Sequence, residues 1–337
     1  LAAALFLCVR GISYGSVGSR MMADVGRILP TLDDDQHKLA IAGGLLLFVV
    51  FGIKAAMLPV GFWLPKTYAV ASTPVAAIFT IMTKVGIYAI LRVNGTVFDD
   101  AMAQSIFKNT LLLIGLITSI YGVIGAIGAE RLRRFVGFMV LSSVGTLLIA
   151  IAMFNTQAWS AGLYYLVHST LIAAAFYLFC GWITAQRGMF KDHLKVAPKI
   201  KNEKAAALTY FLIAMMMAGL PPFSGFLGKV FILQATAETA YQGWIIAIIL
   251  IVSLLSILAL TRVGFILFWR ASPPEIDPNE AAYQTYQGLP AYAPNRNDTA
   301  IYIILAGLMA YVVFAAPIYN YTVLTAQQIQ NHALYNQ

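Results

Sequence analysis

Phe51-Gly52-Ile53-Lys54-Ala55-Ala56-Met57-Leu58-Pro59-Val60-Gly61-Phe62-Trp63-Leu64-Pro65 places a lysine, and then a proline and a glycine, after about fifteen residues without a charge. A helix that begins near Leu39 must lose a backbone hydrogen bond around Pro59 and Gly61. Lys54, about one turn before that break, has no easy route to water. Downstream, Gly219-Leu220-Pro221-Pro222-Phe223-Ser224-Gly225 interrupts a second apolar run, and Lys229 lies just beyond it. Non-helical backbone at membrane depth is tolerated only where protein or water surrounds it. Paired discontinuous helices point to the binding region of transporters built from repeats. Each break alone reads as a structural kink; two breaks with a lysine beside each tip the reading towards function.

Outward from these breaks the chain is apolar throughout. Of 337 residues 60% are hydrophobic and 11% charged, which excludes an ordinary soluble domain. Nine runs are long enough to cross a hydrocarbon core of about 30 Å: 1–19, 39–58, 73–92, 109–129, 135–154, 160–186, 207–236, 243–269 and 299–322. The expected fold is all-α, a polytopic membrane helix bundle with two discontinuous helices, because lipid leaves backbone polar groups to be satisfied within each segment. The chain opens at Leu1 inside an apolar run with no basic segment or cleavage site ahead of it, and reads as a fragment. Cys8 and Cys180 fall within spans and suggest neither disulfide nor metal site.

The net charge of +8 does not read as a nucleic-acid surface, because the cations collect in alternate loops. Lys66, then Arg131, Arg133 and Arg134, then Arg187, Lys191, Lys195, Lys199, Lys201 and Lys204, then Arg270 and Arg296 occupy the even loops. Arg20, Arg27, Lys38, Arg92 and Lys108 occupy the odd ones, five against twelve. The positive-inside rule puts the even loops in the cytoplasm. The first span then starts inside and the C-terminal tail ends outside.

Lys84 sits mid-span in Ile81-Met82-Thr83-Lys84-Val85-Gly86-Ile87, so with Lys54 and Lys229 three lysines fall at membrane depth. A charge at a helix centre costs about 2.5–3.5 kcal/mol on insertion scales, so such residues normally face a cavity or a partner. Snorkelling to an interface is the bland alternative. On the functional reading, burial disfavours an ammonium, brings loss of its proton within reach of neutral pH, and lets a row of lysines pass protons through intervening water. Protonation of one raises the cost of protonating the next. His168, in Tyr164-Tyr165-Leu166-Val167-His168-Ser169-Thr170, adds a group suited to proton relay, or else an inter-helix hydrogen-bond donor. Arg262 is expected to snorkel beside Arg270. Ser142, Ser143 and Thr146 suit a water path but equally ordinary helix packing. Asp33, Asp34, Asp35 and His37 read as a solvated loop. No phosphate loop, metal-spaced His/Cys set or nucleophile elbow occurs, so neither cofactor nor metal is expected.

The stretch from Phe51 to Pro65, followed by Ala71-Ser72-Thr73-Pro74-Val75-Ala76-Ala77 and Thr83-Lys84-Val85-Gly86-Ile87-Tyr88, resembles the antiporter-like subunits shared by Mrp antiporters and respiratory complex I. Leu220 to Lys229 resembles that family's second broken helix, and Tyr165 to Phe179 its histidine-bearing helix. The similarity covers roughly residues 15–270. The Pro-Val-Ala-Ala and Thr-Lys-Val-Gly forms, and an ending one span past the second broken repeat, look most like the D-type member of Mrp-type Na⁺(K⁺)/H⁺ antiporters, including the Pha potassium system. The resemblance implies fourteen spans with two inverted five-helix repeats, of which this chain would hold spans six to fourteen. The first-repeat remainder would occupy 1–92, the second repeat about 109–270 and a final span 299–322.

Carried over, Lys54 and Lys229 would be the lysines of the two broken helices, Lys84 the linking lysine and His168 the relay histidine, with Pro59, Pro221, Pro222 and Gly225 forming the breaks. The family's glutamate partner for the first lysine would lie upstream of Leu1, so the fragment alone is expected to be inactive. The resemblance implies a proton-translocating subunit, not an enzyme, assembled with A, B, C, E, F and G type partners in a bacterial inner membrane and coupled to Na⁺ or K⁺. The competing readings are an M- or N-like proton-pumping subunit of complex I or a related hydrogenase, and a non-translocating scaffold.

Overall fold

The computed structural model describes residues 31–97, 101–197, 200, 202–237, 239–270 and 296–331, together with Phe6, Gly15, Val25 and Ile28. Eleven helices are named here: α1 Asp34–Ala55, α2 Trp63–Val70, α3 Thr73–Val97, α4 Ala101–Ile127, α5 Leu132–Ala152, α6 Thr156–Gln186, α7 Glu203–Ala218, α8 Ser224–Gln234, α9 Gln242–Gly264, α10 Arg296–Val313 and α11 Ala315–Gln330. Among the described residues there is no strand, only an isolated bridge between Arg131 and His193. Six helices (α1, α3, α4, α5, α6 and α9) are each long and apolar enough to cross a membrane. Apart from Phe6 and Gly15, the expected run 1–19, with Cys8, lies outside the described residues, as do Arg20, Arg27, Lys199 and Lys201.

α5 is buried around almost its whole circumference, from Leu132 to Ala152, as expected of a helix that is apolar on every side. It lies against α4, α6 and α2. The close approach of α4 and α5 depends on Gly122 and Gly145, where a Cβ would collide with the backbone of Ser142 and Ser119. α9 is the opposite case. Leu250, Ile251, Leu254 and Leu258 are exposed along it, which suits a face turned to lipid.

The two breaks are built alike. α1 ends in left-handed Ala56 (φ 62°), with the Ala56 N–H on the Ile53 carbonyl and the Met57 N–H on Gly52. α7 ends in left-handed Gly219 (φ 75°), with Gly219 on Met216 and Leu220 on Met215. Both are Schellman caps, which satisfy the last carbonyls of a helix and turn the chain out of it. Leu58–Pro59 and Pro221–Pro222 are both cis. The chain then resumes as a second half-helix, α2 or α8.

The structure corrects two expectations. The segment after Pro59 is not simply a loop: it resumes as α2, whose Leu64, Pro65, Tyr68 and Ala69 are buried while Lys66 is exposed. The run 299–322 is not one straight span. α10 and α11 meet at 81°, because Pro317 has no N–H to continue the ladder to Val313. Beyond the bend α11 lies against α6 and α3, and Thr156 hydrogen-bonds Gln330.

Candidate functional site

Lys229 lies on α8, just past the second break. Its Nζ donates to the carbonyl of Ala218, 2.8 Å away, and to Ser253 Oγ on α9, 3.0 Å away. Ala218 is the last residue of α7. The unpaired carbonyls at a helix C-terminus carry partial negative charge, so the half-helix end is a favourable place for an ammonium. The break therefore supplies in backbone what a carboxylate supplies elsewhere.

His168, on α6, is 1% exposed. Its Nδ1 lies 2.8 Å from the hydroxyl of Ser224, the first residue of α8, and the other side of the ring faces Gly225 beside the Met216 carbonyl in the last turn of α7. Either partner of the His168–Ser224 pair can donate, according to the imidazole tautomer. The imidazole lies beside both halves of the broken helix. Gly225 makes this approach possible, since a Cβ there would sit 2.6 Å from His168 Nε2.

Lys84, on α3, is 2% exposed, and its Nζ donates to Ser143 Oγ on α5 at 3.3 Å. Ser143 in turn lines a cavity that it shares with His168, Lys229 and the hydroxyls of Ser142, Thr146, Ser169, Ser253 and Ser256. The space open to a water's centre is about 20 Å³, enough to hold about one water with several polar partners. A polar axis therefore runs from Lys84 through Ser143 and the cavity to His168 and Lys229. Protons can move along such a series of ammonium, hydroxyl, imidazole and water.

Lys54 does not join this axis. Among the described residues it is exposed, on a face shared with Phe6, Phe51, Trp63 and Met82. Neighbouring Gly52, Ala55 and Ala56 are buried instead, so the helix turns its small residues to the core and its lysine away. α3 approaches α1 closely at Gly86, where a Cβ would lie 2.6 Å from the Ala55 nitrogen. Trp63 of α2 reaches back across the break to the Ile53 carbonyl at 3.1 Å. Pro59, Pro221 and Pro222 are exposed at their breaks, whereas Gly225 is buried. Ser224, Ser253 and Ser256 escaped the sequence reading. The spacing of Ser253 and Ser256 on one face of an otherwise aliphatic helix was the available signal. No group of three or more His, Cys, Asp or Glu that could hold a metal occurs among the described residues.

At the end of the bundle where the even loops meet, Arg133 forks onto Asp192, with Nε–Oδ2 at 3.1 Å and Nη2–Oδ1 at 3.4 Å, and gives Nη1 to the Ala71 carbonyl at the end of α2. Burial alone would raise the Asp192 carboxyl, but the hydrogen bonds and charge of Arg133, with the charge of Arg131, outweigh it and hold it below its usual value. Burial lowers the Arg187 guanidinium to about 10. Arg187 binds the carbonyls of His193 and Lys195 and so shapes the loop that carries Asp192.

Comparison with known proteins agrees with this architecture. Residues 31–256 match the family model described as NADH:quinone oxidoreductase/Mrp antiporter, TM. The D-type subunit of a probable K(+)/H(+) antiporter of Rhizobium meliloti (strain 1021) is 34% identical over 298 residues, which is 80% of this chain and 55% of the relative. Its counterpart in a Na(+)/H(+) antiporter of Bacillus subtilis (strain 168), also of D type, is 32% identical over 86% of this chain and 57% of its own length. The chain thus spans a little over half the length of these curated relatives. Among solved structures, a chain of the Mrp complex from Dietzia sp. DQ12-45-1b superposes with a TM-score of 0.80 over 98% of this chain and 66% of that one, at 24% identity. A chain of respiratory complex I from Thermus thermophilus gives 0.74 at 17% identity. Two capped breaks, the lysine and histidine gathered at the second, and a family match across α1 to α9 converge on one conclusion: the chain belongs to the NADH:quinone oxidoreductase/Mrp antiporter transmembrane family.

Proposed function

We propose that this chain is the proton-translocating part of a D-type subunit in a multisubunit monovalent cation/proton antiporter, a secondary transporter component and not an enzyme. The carrying observation is the polar axis that links Lys84, through Ser143 and a hydroxyl-lined cavity, to His168 and Lys229. Lys54, at the first break, is assigned to the same relay and awaits a partner group on its exposed side. The like-built breaks support reading 1–92 as the remainder of one repeat, about 109–270 as a second, inverted repeat, and about 299–322 as a closing segment. A, B, C, E, F and G type subunits are the proposed partners, Na⁺ or K⁺ the exchanged cation, and the bacterial cell membrane the location.

Among solved structures the Mrp-complex chain is 24% identical to this one and two complex I chains 17–21%, and relatives named as D-type antiporter subunits reach 34%, which favours the antiporter over the complex I reading. Cation-driven proton exchange in everted vesicles tests the assignment, using the full-length subunit in its complex. Lys229→Ala and Lys54→Ala are each expected to abolish exchange at unchanged membrane abundance. Unaltered exchange would defeat the relay; loss of assembly with normal turnover per complex would point to a scaffold.

A further inference from the structure

The loop between α6 and α7 and the last turns of α9 meet around a cavity that the proton axis does not use. Lys195, Arg262 and Arg270 line it with Thr261 and Phe265, and its volume is about 640 Å³. All three cations are exposed. Arg262 spends Nη1 on the carbonyls of Ile127 (2.9 Å) and Ala129 (3.4 Å) at the end of α4, which fixes its guanidinium at the rim. Among the described residues no carboxylate lines the cavity; Glu130, on the adjoining turn, is not part of its wall. Three like charges around one cavity repel one another, and an anion seated among them relieves that repulsion.

The surroundings say what kind of anion fits. Phe265 and Trp269 stack at 5.6 Å, and Trp269 is 79% exposed, the placement of an aromatic ring at a membrane–water interface. From the cavity inward, α4 and α9 pack side by side and present exposed Ile117, Ile124, Leu254 and Leu258. A charged pocket at interface depth above an apolar seam matches an amphiphile with an anionic head and acyl tails. We propose that Lys195, Arg262 and Arg270 form a binding site for the phosphate of an anionic phospholipid of the cytoplasmic leaflet, its tails lying along α4 and α9.

Native mass spectrometry of the full-length, delipidated chain, titrated with phosphatidylglycerol or with phosphatidylcholine, tests this. Phosphatidylglycerol is expected to bind about a hundredfold more tightly than phosphatidylcholine, about fivefold for each of the three cations. In the double variant Lys195→Gln/Arg270→Gln that preference is expected to fall by about fivefold for each charge removed. Neither side chain caps a helix, so the variant keeps the Arg262 contact with α4; Arg262→Gln, checked for thermal stability, serves as a second probe. Equal binding of the two lipids, or an unchanged preference in Lys195→Gln/Arg270→Gln, overturns the proposal. Displacement of bound lipid by millimolar inorganic phosphate, or by an acidic peptide at similar concentration, also overturns it, in favour of a free-ion or a protein site.

Discussion

The ammonium of Lys229 and the carbonyl oxygen of Ala218 lie 2.8 Å apart across the break between α7 and α8, with Ser253 as the other acceptor at 3.0 Å. Removing the hydroxyl leaves the helix end in place. Ser253→Ala is therefore expected to weaken the hold on the ammonium by about 2 kcal/mol and to slow exchange several-fold without abolishing it. Initial rates in everted vesicles, normalised to subunit abundance, check this; a rate equal to that of Lys229→Ala would show that Ser253 does more than position the lysine.

Gly219 holds the left-handed cap, and a Cβ on it would lie 3.2 Å from Lys229 Nζ. Gly219→Ala is expected to cost about 1 kcal/mol from backbone conformation alone, with a further cost from the displaced lysine. Gly307→Ala, where nothing lies within 4 Å of the new atom, is expected to be neutral or slightly stabilising. Thermal melts of the two variants in one detergent give the comparison.

Asp192 contributes stability through its pairing with Arg133. Its folded carboxyl is held below its usual value, so the contribution is complete above the unfolded pKa of about 3.9 and is lost as the pH falls through the lower folded value. Asp192→Asn is expected to destabilise by about 2 kcal/mol at pH 7, and the gap between variant and parent should narrow below about pH 4. Melting temperatures measured from pH 7 down to pH 3 trace that narrowing.

Pro317 sets the 81° bend between α10 and α11. Pro317→Ala restores an N–H that can reach the Val313 carbonyl. Spin labels at exposed Ile303 and Leu324 are then expected to move apart, seen as a longer distance by pulsed electron paramagnetic resonance.

Most spans were legible in the sequence because lipid fixes the minimum length of an apolar run. The second break was equally legible, since Gly219 and the two prolines permit little else. α2 was not: Pro65 and Lys66 read as loop residues, yet a proline is tolerated in the first turn of a helix. The bend at Pro317 was hidden inside an unbroken apolar stretch. The lysines stood out by type alone, but the pattern gave each no facing. Lys84 turns inward and Lys54 outward where α3 and α1 approach at Gly86, against the backbone of Ala55. The parts played by Ser143 and Ser253 depend on α3 packing near α5 and α8 near α9, a tertiary fact that local spacing does not carry.

A relay in series has a simple kinetic signature. If protons must pass both Lys84 and Lys229, removing either stops the flow and removing both does no further harm. Proton flux through the complete antiporter in proteoliposomes, compared for Lys84→Ala, Lys229→Ala and the double variant at equal abundance, reads this directly. We expect each single variant to retain less than about a tenth of the parent flux and the double variant to match them; two partial losses that multiply in the double variant, or parent-like flux in either single one, would contradict a continuous path between the two ammonium groups.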